Sequence, residues 1–314
     1  MAGCDCNGGV AMFYKRFSDD KESFIRLLQL HGIILPSKLC GKCGNDTKMD
    51  LTRGAWRCYH KVSLRKQKAT KCDWSQTIYK NTFFDNASVE KVKLLCFLNS
   101  YLRKGFCYEN AHDEWGLATH TINDWCSFAR EVLIDWCLDN SAPIGGPGFI
   151  VEIDESKFGK RKFNVGRMIE GQWVFGGICR QTRKFFLVPV EDRGKDTLLA
   201  VLKDHVLPGT TIMSDCWRAY HCLSDHGYVQ YKVNHSVNFV DPITKAHTNT
   251  IERLWRDIKA RVPLYGRRKK NWVGYLARSM FMLIFKEANT RLHHFLLAAA
   301  KLYNPANPPN PTET

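Results

Sequence analysis

Long apolar runs are missing from this chain. The longest in its last part, MFMLIF at 280–285, is far too short to span a bilayer and is explained by a core helix. The opening residues lack the basic stretch, apolar run and small-residue cleavage site of a secretory signal, and no internal repeat is visible. Acidic charge is also scarce, with 31 Asp and Glu against 46 Lys and Arg and a formal net charge of +15. A basic protein can be merely soluble, but Lys and Arg displace counterions from phosphate backbones, so polyanions are the partners to expect. The basic residues are also clustered. SLRKQKATK at 63–71 and YGRRKK at 265–270 set like charges side by side near Trp74 and Trp272, which makes Arg65, Lys66, Lys68, Arg267 and Arg268 candidate DNA contacts.

An even disulfide framework is excluded by thirteen cysteines together with the missing secretory signal, so reduced thiols in a nuclear or cytoplasmic protein are expected. At 314 residues and 44% hydrophobic composition the chain has room for two or three domains with a buried core.

Residues 12–31 read as a helix, with Phe24, Leu27, Leu28 and His31 at helical spacing. Three further helices are expected over 88–140, followed by a Pro/Gly linker, SAPIGGPG, at 141–148. Beyond it FIVEIDES, QWVFGGICR and KFFLVPVED read as three strands and GKDTLLAVLKDHV as a helix. TTIMSDC is a fourth strand, WRAYHCLSDHG a short helix ending at Gly227, VQYKVNHS a fifth strand, and HTNTIERLWRDIK an amphipathic helix. Three strands, then alternating helices and strands, is the order of an α/β ribonuclease H-like domain, a mixed sheet flanked by helices.

Three acids fall where such a fold would bring them together. Asp154 lies in the first strand, Asp215 ends the fourth, and Glu252 sits on the first turn of the last helix, beside a packing stripe of Ile251, Leu254, Trp255 and Ile258. Taken singly, Asp215 reads as a helix cap, Glu252 as a favourable first-turn acid, and Asp154 as a loop acid. Taken together, three carboxylates in one pocket repel one another unless cations neutralise them, and oxygen donors favour two Mg²⁺ or Mn²⁺ ions. Such a pair suits in-line attack on a phosphodiester. Arg253, Arg256, Lys259 and Arg261 would give the same helix a basic face toward the DNA backbone.

LCGKCG at 39–44 is a C-x2-C knuckle, and with Cys58 and Cys72 it makes a C-x2-C-x14-C-x13-C set suited to Zn²⁺, a zinc ribbon in which His60 competes with Cys72 as fourth ligand. Cys4 and Cys6 receive no role. Cys96, Cys107, Cys126, Cys137, Cys179, Cys216 and Cys222 sit in apolar patterns and read as core. In EWGLATHTINDWCSFAREV a glycine turn precedes a helix, the arrangement of a helix-turn-helix. His120, Thr121, Asn123 and Asp124 would face the major groove while Ile122, Trp125 and Phe128 pack inward, and a plain helical linker domain is an equal alternative.

VEIDESKFGKRK, SDCWRAY, VNHSVNFVDP, HTNTIERLWRDIK and YGRRKKNWVGYL together resemble the transposases of the Merlin superfamily and their bacterial insertion-sequence relatives with an N-terminal zinc ribbon. The resemblance covers the region after the linker, and the order of the two modules ahead of it is also similar. The insert between Cys58 and Cys72 and the stretch from Ala277 to Tyr303 depart from the family's pattern. The resemblance implies a DDE transposase with Asp154, Asp215 and Glu252 as catalytic acids, with His235, His247 and Asn249 flanking them as supporting or strand-positioning groups. It further implies hydrolysis at terminal inverted repeats of double-stranded DNA, transfer of the freed 3′-hydroxyl to target DNA, and a homodimer or higher oligomer. The expected organisation is a helical segment (1–35), a zinc module (36–86), a helix-turn-helix domain (87–142), the catalytic domain (149–303) and a disordered tail (304–314). Two other classes stay open: a host-adopted, non-catalytic DNA-binding protein, and a metal-dependent nuclease of the same fold.

Overall fold

Asp20 interrupts what periodicity alone reads as one helix over 12–31. The computed structural model describes residues 4–62, 70–159, 171–215, 220, 223–233, 247–263 and 269–307. In it α1 (Val10–Phe17) and α2 (Lys21–Leu30) are separate helices. The Asp20 carboxylate accepts the Ser23 amide at 3.0 Å and so starts a new helix where the first ends. Two contact units make up the chain: Met1–Trp136 with Met282–Thr314, and Cys137–Phe281.

In the first unit, β1 (Lys48–Asp50), β2 (Ala55–Arg57) and β5 (Ser75–Thr77) form an antiparallel sheet in the order β1-β2-β5, beside the β3 (Lys61–Val62) and β4 (Thr70–Lys71) pair. Helices α3 (Lys91–Tyr101), α4 (Tyr108–Trp115) and α5 (Thr119–Asp139) follow, with Gly116 in the left-handed conformation closing α4. The expected inward packing of Phe128 is wrong. Ile122, Trp125, Cys126, Ala129 and Leu133 form the buried stripe of α5, whereas Phe128 lies off its edge, 43% exposed, with its ring against Trp125. Phe83 sits among Phe84, Trp125, Phe295 and Tyr303, all at ring-contact distance. The guanidinium of Arg291, buried in this unit, donates to the carbonyls of Leu102, Met282, Phe285 and Lys286.

In the second unit the linker is not a free tether. β6 (Ile144–Gly145) pairs in parallel with β10 (Val206–Leu207), Ile144 is core, and the Gly146 amide donates to Thr210 Oγ1 at 2.7 Å. The main sheet contains β7 (Ile150–Phe158), β8 (Gln172–Cys179), β9 (Phe185–Val190), β11 (Thr211–Asp215) and β12 (Val229–Val233), in the order β12-β11-β7-β8-β9. Strand β8 runs antiparallel to its neighbours β7 and β9, and β11 and β12 run parallel to β7. This is the mixed sheet expected of a ribonuclease H-like domain. Of the segment expected as a short helix before β12, the described end is a 3-10 turn, Ser224–His226, closed by left-handed Gly227. Cys216 and Cys222 lie outside the described residues.

Alternation along β7 assigns the two faces of the sheet. Val151 and Ile153 join Phe175, Ile212, Leu198 and Leu202 in the core beneath α6 (Lys195–His205). Glu152, Asp154 and Phe158 point the other way, toward α7 (Asn249–Lys259) and the start of α8 (Trp272–Ile284). Gly176 pairs with Asp154 across the strands, and a Cβ there would come within 2.8 Å of the Trp255 ring and 3.0 Å of Leu187. The absent side chain therefore lets Trp255 lie on the sheet. Gly176→Ala is expected to lower stability by about 1–3 kcal/mol through overpacking. Chemical denaturation of the purified protein checks it, and an unchanged midpoint would sink the packing account.

Candidate active site and thiol cluster

The first ligating set lies in the Cys40–Cys72 module. The Sγ atoms of Cys40, Cys43, Cys58 and Cys72 all lie within 4.8 Å of one another. Cys40 and Cys72 are 3.7 Å apart and Cys43 and Cys58 3.5 Å apart. A tetrahedral Zn²⁺ with Zn–S near 2.3 Å puts its sulfurs about 3.8 Å apart, so the set fits the ion. His60 is exposed and outside the set, and its carbonyl instead accepts the Cys72 amide at 2.8 Å. The Asn45 side chain hydrogen-bonds Cys43 Sγ and draws that thiol down to about 6, toward the thiolate a metal needs.

The second site is built on β7. Its register with β11 matches Thr211 to Ile150 and Met213 to Glu152. Asp154 lies two residues past that last pair on β7 and Asp215 two residues past it on β11, near enough for the charge of Asp215 to act on Asp154. Helix α7 crosses this face with Ile251, Leu254, Trp255 and Ile258 buried, and Glu252 is exposed on its first turn. The Trp255 indole donates to Asp154 Oδ2 at 2.9 Å, and Thr248 Oγ1 donates to Glu252 Oε1 at 3.4 Å. Burial raises Asp154 to about 6, and repulsion from Asp215 and Glu252 adds to the rise.

Two acids that sequence reading passed over belong to the same surroundings. Glu152 is 0% exposed. Its Oε1 accepts Arg180 Nε at 2.6 Å, and its Oε2 accepts the Thr250 and Ile251 amides at 2.8 and 2.9 Å. The strand that carries Asp154 thus holds the N-terminus of the helix that carries Glu252. The Arg180 guanidinium goes on to donate to Nδ1 and the carbonyl of His247. Glu155 is raised to about 8 by burial and by Asp154 and Asp215, and its Oε1 is buried with no hydrogen-bond partner. Parity is a sequence signal for Glu152 alone, which sits two residues before Asp154 on the same face, whereas Glu155 alternates to the other face.

His247 therefore belongs to the Glu152–Arg180 network, and Asn249 is the exposed first residue of α7. His120, Asn123 and Asp124 are exposed on α5 and Thr121 is half-buried. Arg253, Arg256 and Lys259 are exposed on α7, whereas Arg261 follows the helix with its side chain 8% exposed, bonded to the Asp257 carbonyl. His235, Arg65, Lys66, Lys68, Arg267 and Arg268 lie outside the described residues.

Replacing Glu152 with Gln leaves one acceptor for donors on both sides of the carboxylate. Glu152→Gln is expected to cost about 3–5 kcal/mol, the scale for breaking a buried ion pair. Urea unfolding measures it, and a loss below about 1 kcal/mol would contradict the anchoring role. The carboxyls of Asp154 and Glu155 titrate above their ordinary range, so their protonated forms favour the fold. The stability they contribute is present at acid pH and is lost as pH rises through about 6 and then about 8. In chelator the wild type should lose stability over that range, and Asp154→Asn should flatten the lower part of the decline. Parallel pH profiles for the two proteins would disprove it.

No curated protein matches the chain. Among solved structures it is similar to the catalytic core domain of BIV integrase, at 11% identity over 50% of this chain and 84% of that one, with a TM-score of 0.25. It is also similar to the HTLV-2 integrase catalytic core domain in complex with magnesium, in a trimeric form, at 13% identity over 53% and 92%, again with a TM-score of 0.25. Residues 142–282, which hold β7, β11 and α7 with Asp154, Asp215 and Glu252, match the family of the ISXO2-like transposase domain, and this supports an insertion-sequence type of DDE transposase for that part of the chain.

Proposed function

We propose that the protein is a DDE transposase, of the Merlin superfamily within the insertion-sequence-related transposases. It would cut double-stranded DNA at terminal inverted repeats and join the freed 3′-hydroxyl to target DNA. The observation that carries the reading is the placement of Asp154 and Asp215 on adjacent parallel strands, with Glu252 on the helix across them, inside the transposase-domain match.

The donor set suits hard divalent cations. Carboxylate oxygens predominate, Asp154 is held toward its protonated form by burial and its acidic neighbours, and the buried Glu155 Oε1 lacks a partner. Asp154, Asp215 and Glu252 would hold Mg²⁺ or Mn²⁺. Two such ions, when bound, supply a lowered pKa for the attacking water or hydroxyl and charge neutralisation at the leaving oxygen. Trp255 fixes Asp154 through Oδ2, and the Glu152–Arg180 network fixes the start of α7. Exposed Arg253, Arg256 and Lys259 would take the DNA backbone along the same helix, with Asn249 at its start.

The modules ahead of the linker would recognise the terminal repeats. Cys40, Cys43, Cys58 and Cys72 would hold Zn²⁺ in a ribbon, and α4 and α5 would form a helix-turn-helix presenting His120, Thr121 and Asn123 to the major groove. The domain limits given above, assembly as a homodimer or higher oligomer on DNA, and a nuclear location in a eukaryotic cell belong to the same proposal.

The test is a reaction with purified protein, DNA bearing the terminal repeats that flank its coding sequence, and a plasmid target, in Mn²⁺ or in EDTA. Joined product is expected only with metal. Asp154→Ala, Asp215→Ala and Glu252→Ala should each abolish cutting and joining while leaving repeat binding within about threefold, since their effect is on the reacting phosphate. Strand transfer that persists in Asp215→Ala would refute the assignment. Specific binding without cleavage would favour an adopted DNA-binding protein, and cleavage without joining a nuclease.

A further inference from the structure

Four side chains that sequence spacing leaves unconnected meet at one point in the first unit. The Sγ atoms of Cys4 and Cys6, Nε2 of His31 and Nδ1 of His293 all lie within 4.8 Å of one another. Cys6 and His31 are buried, and Cys4 and His293 half-buried. Cys4 Sγ is 2.8 Å from Cys6 Sγ and 3.5 Å from His31 Nε2. Cys6 Sγ is 3.3 Å from His31 Nε2 and 3.5 Å from His293 Nδ1, and the two imidazole nitrogens are 2.9 Å apart.

We propose that Cys4, Cys6, His31 and His293 form a second zinc site, distinct from the Cys40–Cys72 set, which ties the loop before α1 and the end of α2 to α9 (Arg291–Leu302).

Geometry and charge both support it. Tetrahedral zinc places two sulfurs about 3.8 Å apart, sulfur and nitrogen about 3.5 Å, and two nitrogens about 3.3 Å. Here the sulfur–nitrogen separations of 3.3–3.5 Å match that figure, while the nitrogens at 2.9 Å and the sulfurs at 2.8 Å lie closer together than it. The His31 imidazole is already oriented: its Nδ1 donates to the Leu27 carbonyl at 2.8 Å, which leaves the Nε2 lone pair facing the other three groups. Two thiolates and two neutral imidazoles around Zn²⁺ sum to zero charge, so the ion can be buried without an unpaired charge. Four lone-pair carriers packed this closely without an ion have too few protons to bond one another well.

The loop is held ready by other contacts. The Asn7 amide closes a turn on the Cys4 carbonyl, and Arg16 Nη1 holds Asp5 through its carbonyl at 2.8 Å and its carboxylate at 3.0 Å. The Gly8 amide donates to the Asn289 carbonyl, and Arg103 Nη2 donates to the Gly8 carbonyl and to Asn289 Oδ1. The segment just before α9 is thus already fastened to the segment just after Cys6. Joining Cys6 to a ligand 287 positions away removes a large loop entropy from the unfolded chain. A disulfide between Cys4 and Cys6 would leave both histidines facing an empty vertex, and the 2.8 Å separation of the sulfurs is far from a bond of about 2.05 Å.

Metal content of the full-length protein tests the proposal without any assay of DNA, so its failure and the failure of the transposase reading are separable. Purified wild type should carry about two equivalents of zinc, and Cys4→Ser/Cys6→Ser and His293→Ala about one each. His293→Cys keeps a ligand and should restore the second equivalent. Its cobalt-substituted form should show stronger thiolate-to-metal charge transfer than cobalt-substituted wild type. If the serine double variant folds poorly, the His293→Ala and His293→Cys pair decides alone. Zinc content equal to wild type in Cys4→Ser/Cys6→Ser or His293→Ala would overturn the site. So would a single wild-type equivalent that vanishes in Cys40→Ser/Cys43→Ser.

Discussion

A carboxylate with no exposure to water holds the second unit's site together. Glu152 costs free energy to bury, and the fold offsets that cost by surrounding it with donors from two other elements. Arg180 reaches it from the end of β8, and the first amides of α7 reach it from above. Every donor that satisfies Glu152 is therefore also a constraint on where α7 begins. Glu252 lies one residue past the amide of Ile251, so its position is inherited from a carboxylate on the same strand as Asp154. Trp255 supplies the second fastening one helical turn later, through Asp154 itself.

Much of this could be read in the residues before the structure. The succession of strands and helices along the chain followed from apolar runs in β7 and β8 and from the helical pattern after β9, because buried central strands and an amphipathic helix differ in period. The packing stripe of α7 was legible for the same reason: Ile251, Leu254, Trp255 and Ile258 are all buried. What stayed hidden depends on pairing across the sheet. Glu152 looks like any strand acid until Arg180 and the start of α7 are placed beside it. Glu155 looks solvent-facing until its neighbours bury it. Phe128 is aromatic but its helical angle puts it off the buried stripe, and the break at Asp20 falls within six consecutive polar residues, Ser18 to Ser23, whose flanking apolar residues still fit a helical period.

The two thiol sets show the same limit more sharply. Cys40 and Cys43 announce themselves because both ligands sit on one tight turn, and Cys58 and Cys72 come directly after the short strands β2 and β4. Cys4 and Cys6 share only a short C-x-C, and their partners come from the end of one helix and the first turn of another. Local spacing carries the first kind of site. Only tertiary structure carries the second.

The distribution of burial separates the chemistry of the units. The two clusters of sulfur and imidazole donors both lie in the first unit and are mostly buried. Oxygen donors are gathered in the second, where Asp154 and Asp215 are half-buried and Glu252 is exposed beside Arg253 and Arg256. A site meant to meet a polyanion must be open on one side, with its negative charges partly neutralised and cations placed next to them. Burial, with repulsion from Asp215 and Glu252 added to it, raises the titration of Asp154, and the pairing of Glu152 with Arg180 and the first amides of α7 holds these carboxylates in place despite that repulsion.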